Sequence, residues 1–216
     1  LVILIGIWGF RLSTYLFIRI MRTGKDNRFD GIREKPISFI LFWLIQAITI
    51  FIILLPSTYT IFLSKELYVN NIMIIGSILS IVGIIIETIS DYQKYIFKNK
   101  LENKDRFINT GIWKYSRHPN YLGEIMMWIG ISIFTISYMN TEYIFLNSIL
   151  YLISPAYIIY ILTSFSGIPT LEKKYDIKYK GNKEYISIKR TQAYYYLRYL
   201  INYNLILKYL YLFLFI

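Results

Sequence analysis

Lys114-Tyr115-Ser116-Arg117-His118-Pro119-Asn120-Tyr121-Leu122-Gly123-Glu124 is the stretch on which the reading of this chain turns. It contains the only histidine, closes a basic connection and opens an apolar run. Pro119 suits the first position of a helix, because its ring presets φ and its missing N–H is one that a helix start leaves unpaired anyway. His118 then stands just outside that helix. Asn120 and Glu124 are four residues apart and share a helix face with Met127 and Trp128. Glu124 lies about a turn inside and needs a polar partner. Arg117, with the free backbone N–H groups of the helix start, forms a candidate anion site.

The rest of the chain makes this the mouth of a membrane helix. Hydrophobic residues are 56% of the total and charged residues only 17%, against about a quarter charged in soluble domains; mean hydropathy is +0.44. Apolar runs cover about 1–21, 38–63, 69–90, 121–138 and 143–165, lengths suited to crossing a bilayer. A sixth run, 193–216, is aromatic and apolar but carries Arg198, Asn202, Asn204 and Lys208, so it reads as a further span or as an interfacial helix. The expected fold is all-α, a polytopic integral membrane helical bundle with five to six transmembrane helices. Pro56 is expected to kink or end the second helix. Gly76, Ser77, Ser80 and Gly83 are small enough to let another helix approach closely. One membrane domain is expected over 1–191, followed by an apolar tail over 192–216. The chain opens at Leu1 inside an apolar run, without the charged start and small-residue cleavage site of a signal peptide. A truncated N-terminus or a missed start is therefore expected.

Net charge is +11, and its placement matters more than its size. Residues 19–35 hold six Lys and Arg, 94–117 hold seven and 173–198 hold eight; the intervening connections hold Lys65 and none. Basic and non-basic connections alternate, so the positive-inside rule sends all three basic ones to the cytoplasmic face. With five spans the N-terminus lies outside or in the lumen. Charge spent on loops in this way speaks for membrane lipid and against a nucleic-acid partner. The absence of cysteine excludes disulfides and thiolate metal sites, and a single histidine gives no basis for a zinc or di-iron centre, so no metal is expected.

Two further polar groups stand beside the basic connections. Glu87, Asp91, Lys94 and Lys98 are spaced four, three and four apart, which puts them on one face if the third helix continues past the membrane surface. They are either a solvated helix end or carboxylates kept near the membrane interior for a task. Lys98, Lys100, Lys104 and Arg106 suit phosphate groups. The last basic connection carries Gly167-Ile168-Pro169, Glu172-Lys173-Lys174-Tyr175, Tyr185, Lys189 and Arg190. It is either a set of contacts to anionic lipid head groups or the third wall of a cofactor pocket.

Residues 115–124 resemble the signature of the steroid 5-alpha-reductase C-terminal family, most closely its domain-of-unknown-function-1295 branch. Trp8-Gly9-Phe10-Arg11-Leu12, Glu87 to Asp91 with Gln93-Lys94 and Phe97-Lys98, Asn109-Thr110-Gly111-Ile112-Trp113, and Ser166-Gly167-Ile168-Pro169 with Glu172, Tyr185 and Arg190-Thr191 resemble that branch's other blocks in the same order. The resemblance runs from about Trp8 to Thr191 and implies a membrane reductase using NADPH in a cytosol-facing pocket. It places Asp91 at a carboxylate beside the cofactor, and Lys98 and Arg106 near its phosphates. It places Asn120 at the nicotinamide end and Glu124 next to it. Ser116, Arg117, His118 and Tyr121 come with the signature as cofactor-binding positions, and Tyr185 and Arg190 with the last block. Tyr121 and Glu124 are the catalytic candidates, with Tyr115 a further possible donor to a substrate carbonyl. The implied reaction delivers a hydride to an activated C=C bond of a lipophilic small molecule, with sterol, polyprenol and enoyl lipid all open. The setting would be the endoplasmic reticulum in a eukaryote or the inner membrane in a bacterium. Two other readings stay open: an S-adenosylmethionine-dependent methyltransferase of the isoprenylcysteine carboxyl type, which shares an Arg-His-Pro-x-Tyr core, and a non-catalytic membrane protein. The former class shows paired glutamates after its last span, where this chain has Glu172-Lys173. A transporter is disfavoured because segments two and four lack midplane charges.

Overall fold

The computed structural model describes residues 1–24, 29–63, 69–138 and 144–191. They form α1 (Val2–Thr23), α2 (Pro36–Leu63), α3 (Asn71–Asn99), α4 (Pro119–Ile136), α5 (Ile144–Tyr160), α6 (Ile168–Lys178) and α7 (Lys183–Thr191), with short 3₁₀ turns at Leu101–Asn103 and Gly111–Lys114 and a π turn at Ile161–Phe165. There is no strand among the described residues. Among the described residues, four helical stretches are long and apolar enough to cross a membrane: Val2–Thr23, Pro36–Phe62, Asn71–Asn99 and Ser148–Lys178. The fold is therefore all-α and polytopic. The fourth apolar run forms α4, whose 18 residues include the polar start Pro119–Glu124 and which is not among those four. The run over 193–216 lies outside the described residues.

Local signals account for most boundaries. Gly24 ends α1 in the left-handed region at φ 72°, with its N–H bonded to the Ile20 carbonyl at 2.9 Å. Asn70 caps α3 by accepting the Met73 N–H at 2.9 Å, and Asn182 caps α7 by accepting the Tyr185 N–H at 3.0 Å. Pro56 does not end α2, which runs on to Leu63. A proline leaves the carbonyl four residues earlier without its N–H, a loss that membrane helices tolerate; one turn further on, the Thr60 hydroxyl donates to the Pro56 carbonyl at 2.9 Å.

The chain divides into two compact units, one of Leu1–Ile85 with Glu124–Tyr160 and one of Ile86–Gly123 with Ile161–Ile216, and α3 and α4 run through both. In the first unit α2 packs along α5, with Thr49 and Tyr157 sharing a hydroxyl hydrogen bond at 3.1 Å and the rings of Tyr59 and Tyr151 in edge contact at 6.3 Å. Ser132 on α4 donates to the Tyr151 carbonyl at 2.6 Å. Trp8 of α1 meets the fully buried Trp128 edge-on at 5.1 Å. Ile3, Phe10, Phe51 and Phe62 are all exposed, as expected of side chains whose solvent is hydrocarbon.

The small residues of α3 do let a neighbour in. A Cβ on Gly130 would sit 2.5 Å from the Ser80 backbone nitrogen and 2.6 Å from the Gly76 carbonyl oxygen, and one on Gly76 would sit 2.6 Å from the Gly130 oxygen. The Ser80 hydroxyl closes the contact by donating to the Met127 carbonyl at 3.1 Å. Close backbone approach of this kind is how membrane helices associate without a hydrophobic driving force between them. Gly130→Ala is expected to destabilise the protein by about 1–3 kcal/mol through overpacking, read as a lower midpoint of unfolding in detergent; an unchanged midpoint would deny that α3 and α4 are this close.

Candidate functional site

The second unit gathers the polar residues. Its foundation is the end of α3, which continues helical past Glu87, Asp91, Lys94 and Lys98 to Asn99, so these four do share one helix. Glu87 and Asp91 are buried. The connection after α3 is tied back onto it. Asn103 donates to the Phe97 carbonyl at 3.1 Å, and the Lys98 ammonium donates to the Arg106 carbonyl at 2.8 Å.

The 3₁₀ turn Gly111–Lys114 then docks onto α3. Gln93 accepts the Ile112 N–H at 3.0 Å, and the Trp113 indole donates to the Ser90 carbonyl at 3.0 Å. Trp113 is 2% exposed, and the Lys94 ammonium lies 4.9 Å from its ring centre. Gly111 sits at φ 60° against the Gln93 side chain, a conformation that favours glycine. This docking sets the position of the following signature.

α4 begins at Pro119, and His118 precedes it with its carbonyl accepting the Leu122 N–H at 3.1 Å. Ser116 accepts the His118 N–H at 3.3 Å. The His118 ring stacks on Tyr121 at 5.7 Å and 12°. From the other side comes α6. The π turn at Ile161–Phe165 widens the backbone, and Gly167 follows it so closely that a Cβ there would lie 2.5 Å from the Leu162 carbonyl oxygen. Ile168 and Pro169 start α6, and its first turns carry Glu172.

Glu172 is the centre of the arrangement. It is 8% exposed, and its two oxygens are divided between the signature residues: one accepts from the Arg117 guanidinium, the other from His118 Nε2 at 2.8 Å. Arg117 also donates to the Tyr185 hydroxyl at 2.9 Å, and its guanidinium stands 5.1 Å from that ring's centre. The Tyr185 hydroxyl in turn donates to Asp176 at 3.0 Å. Lys189 bridges Asp176 at 2.5 Å and Glu172 at 3.5 Å. Burial holds the His118 imidazole below its ordinary range against the pull of Glu172, so the ring is neutral at neutral pH and Nε2–H is the donor to the carboxylate. Burial, aided by its bond to Asp176, pushes the Tyr185 phenol up to about 12.

Beside this cluster opens a pocket of about 440 Å³, mouth included, lined by Lys98, Arg117 and Lys189 and by the rings of Phe107, Trp113, Tyr175, Tyr179 and Tyr185. Of the residues expected at a cofactor site, Lys98, Arg117 and Tyr185 line it. Arg106 is brought to Lys98 through its carbonyl while its own side chain is exposed. Ser116 is half-buried and engaged with His118. Asn120, also half-buried, sits in the first turn of α4, and Glu124 follows one turn later in the first unit. Arg190 lies in α7, with its side chain outside the described residues. No group of three or more metal-ligating side chains occurs among the described residues.

The family model for the protein of unknown function DUF1295 matches residues 1–192. The chain belongs to the DUF1295 family. No curated protein and no solved structure matches it. The match extends over every described element, so the signature, the end of α3, and α6 with α7 that build this cluster are all parts of the DUF1295 region.

Asp176 and Tyr179 are not singled out by the sequence, whereas Glu172 and Lys189 stand there only as members of the last basic connection. Glu172 stands in the sequence as one carboxylate before two lysines, and nothing local marks it as the partner of residues 54 and 55 positions earlier. The one available signal was Arg117 itself, a charge at the start of an apolar helix that needs a buried counter-charge.

Proposed function

We propose that this membrane protein is an NADPH-dependent reductase that reduces an activated C=C bond of a lipophilic substrate. The observation that carries the reading is the pocket of the second unit, where Lys98, Arg117 and Lys189 alternate with five aromatic rings. Cations suit phosphate oxygens and aromatic faces suit the flat ring of a nucleotide. The same set argues against S-adenosylmethionine, which has a sulfonium and no phosphate and would meet like charge there.

NADPH, when bound, supplies a hydride to the electron-poor carbon of the alkene. The residues of this chain do the rest. Lys98 holds phosphate. The half-buried amide of Asn120 orients the nicotinamide end. The substrate carbonyl needs a hydrogen-bond donor to take up developing negative charge. Tyr121 fits that role better than Tyr115, because it is half-buried and held by the His118 ring, whereas Tyr115 is 71% exposed. The basic connections, and with them the pocket, face the cytoplasm by the distribution of Lys and Arg. The membrane is that of the endoplasmic reticulum in a eukaryote and the inner membrane in a bacterium.

Purified full-length protein in detergent is expected to bind NADPH and not S-adenosylmethionine. Lys98→Ala is expected to weaken NADPH binding about tenfold or more, the effect of losing a hydrogen bond to a charged group, and Asn120→Ala by about two- to tenfold. Equilibrium binding followed by nucleotide fluorescence measures both. Failure of the unmodified protein to bind NADPH, or preferential binding of S-adenosylmethionine, refutes the reductase reading.

A further inference from the structure

Tyr179 and Lys98 line the pocket and stand outside the Glu172 cluster. Tyr179 closes α6 and is 5% exposed, yet its buried hydroxyl hydrogen-bonds no group among the described residues. Its neighbour Tyr185 is the contrast: that hydroxyl accepts from Arg117 and donates to Asp176. Burying a hydroxyl without a partner costs stability, so an orphaned one at a pocket wall is a place where a ligand supplies what the fold does not. Burial raises the Tyr179 phenol above its ordinary range, so the group is a neutral donor at neutral pH.

The second group is Lys98. Arg117 is neutralised by Glu172, and Lys189 by Asp176 and Glu172. Lys98 donates only to the Arg106 carbonyl and forms no salt bridge among the described residues. Lys94 and Lys178 add to the positive field around it, opposed by Asp105. It is therefore the pocket cation whose charge is left for a ligand. Between these two groups runs a wall of rings, with Tyr179 packed 5.5 Å from Phe107 and 5.3 Å from Tyr185.

We propose that Lys98 and the Tyr179 hydroxyl together bind the ribose 2′-phosphate of NADPH, with the adenine against the neighbouring rings, which makes Tyr179 a determinant of NADPH over NADH. The inference rests on the reductase reading and specifies which end of the cofactor this pocket takes. A phosphomonoester carries close to two negative charges and three strong acceptor oxygens, so it uses a cation and a neutral donor at once. It is attached to the same nucleoside as the purine, which explains why an anion site and an aromatic wall share one small pocket. The bridging pyrophosphate has no ring of its own and does not account for the wall.

Tyr179→Phe removes the hydroxyl and keeps the ring. Binding of NADPH and of NADH is to be measured on the unmodified protein and on this variant in detergent, together with the thermal midpoint of each without nucleotide. The expected result is NADPH binding weakened about tenfold or more and NADH binding within about twofold of the unmodified protein. The nucleotide-free midpoint is expected to stay the same or rise, because an unsatisfied buried hydroxyl has been removed. Equal loss for both nucleotides, no loss for either, or a lowered nucleotide-free midpoint would overturn the assignment of Tyr179 and leave the reductase reading standing. If the unmodified protein binds neither nucleotide, the reductase reading falls and this inference falls with it.

Discussion

Glu172→Ala is expected to cost about 3–5 kcal/mol of stability and to abolish measurable NADPH binding. The change strips the counter-charge from Arg117, which is 8% exposed, and the acceptor from His118, which is 4% exposed. A buried guanidinium cannot shed its proton to escape the penalty, so the cost falls on the fold. Arg117 and Tyr185 both line the pocket, and both are held by this network, so the pocket wall goes with it. Glu172→Gln should lie between the two proteins, since it keeps an acceptor for His118 and loses the charge. The decisive comparison is the pair Arg117→Met with Glu172→Met. Replacing both partners by apolar side chains removes the uncompensated charge and is expected to restore most of the stability lost in either single variant. A double-mutant cycle from unfolding midpoints in detergent gives the coupling directly. Additive costs would mean that Arg117 and Glu172 do not act as a pair.

Trp113→Ala is the second large effect, at about 3–5 kcal/mol for emptying a buried aromatic site. Trp113 is 2% exposed, and its indole N–H holds the Gly111–Lys114 turn to the Ser90 carbonyl of α3. Losing the ring opens a cavity beside the pocket and frees the turn that sets the signature in place. Trp113→Phe separates the two contributions. It keeps most of the ring and loses the hydrogen bond, at about 1 kcal/mol. Thermal midpoints of the two variants, read against the unmodified protein, test this, and equal midpoints for Phe and Ala would show that packing of the ring contributes nothing.

Particular residues show how far the sequence could be read. Pro119 marked the start of α4 because its ring and its missing N–H act locally. The spacing of Glu87, Asp91, Lys94 and Lys98 marked a helix continuing beyond the apolar run, and α3 does continue to Asn99. Gly76 and Ser80 marked a close helix contact, though not with which helix. Pro56 does not end the second helix, which runs through it to Leu63. Within the signature, Arg117 and His118 carry a buried hydrogen-bonded cluster. It depends on Glu172, whose sequence neighbourhood of two lysines reads as a solvated basic stretch.

The features legible along the chain are one-dimensional: the apolar lengths, the helix starts, the alternation of basic connections and the family signature. Each is encoded by neighbours within a turn or two, where spacing along the chain and distance in space are nearly the same thing. It takes the folded chain to show that Glu172 neutralises Arg117 and fixes the donor nitrogen of His118, and that the Tyr179 hydroxyl is buried without a partner among the described residues while Tyr185 has two. Desolvation and Coulomb attraction depend on distance through space and on how much water is excluded, and for residues 55 positions apart neither quantity exists until α6 is laid against the start of α4.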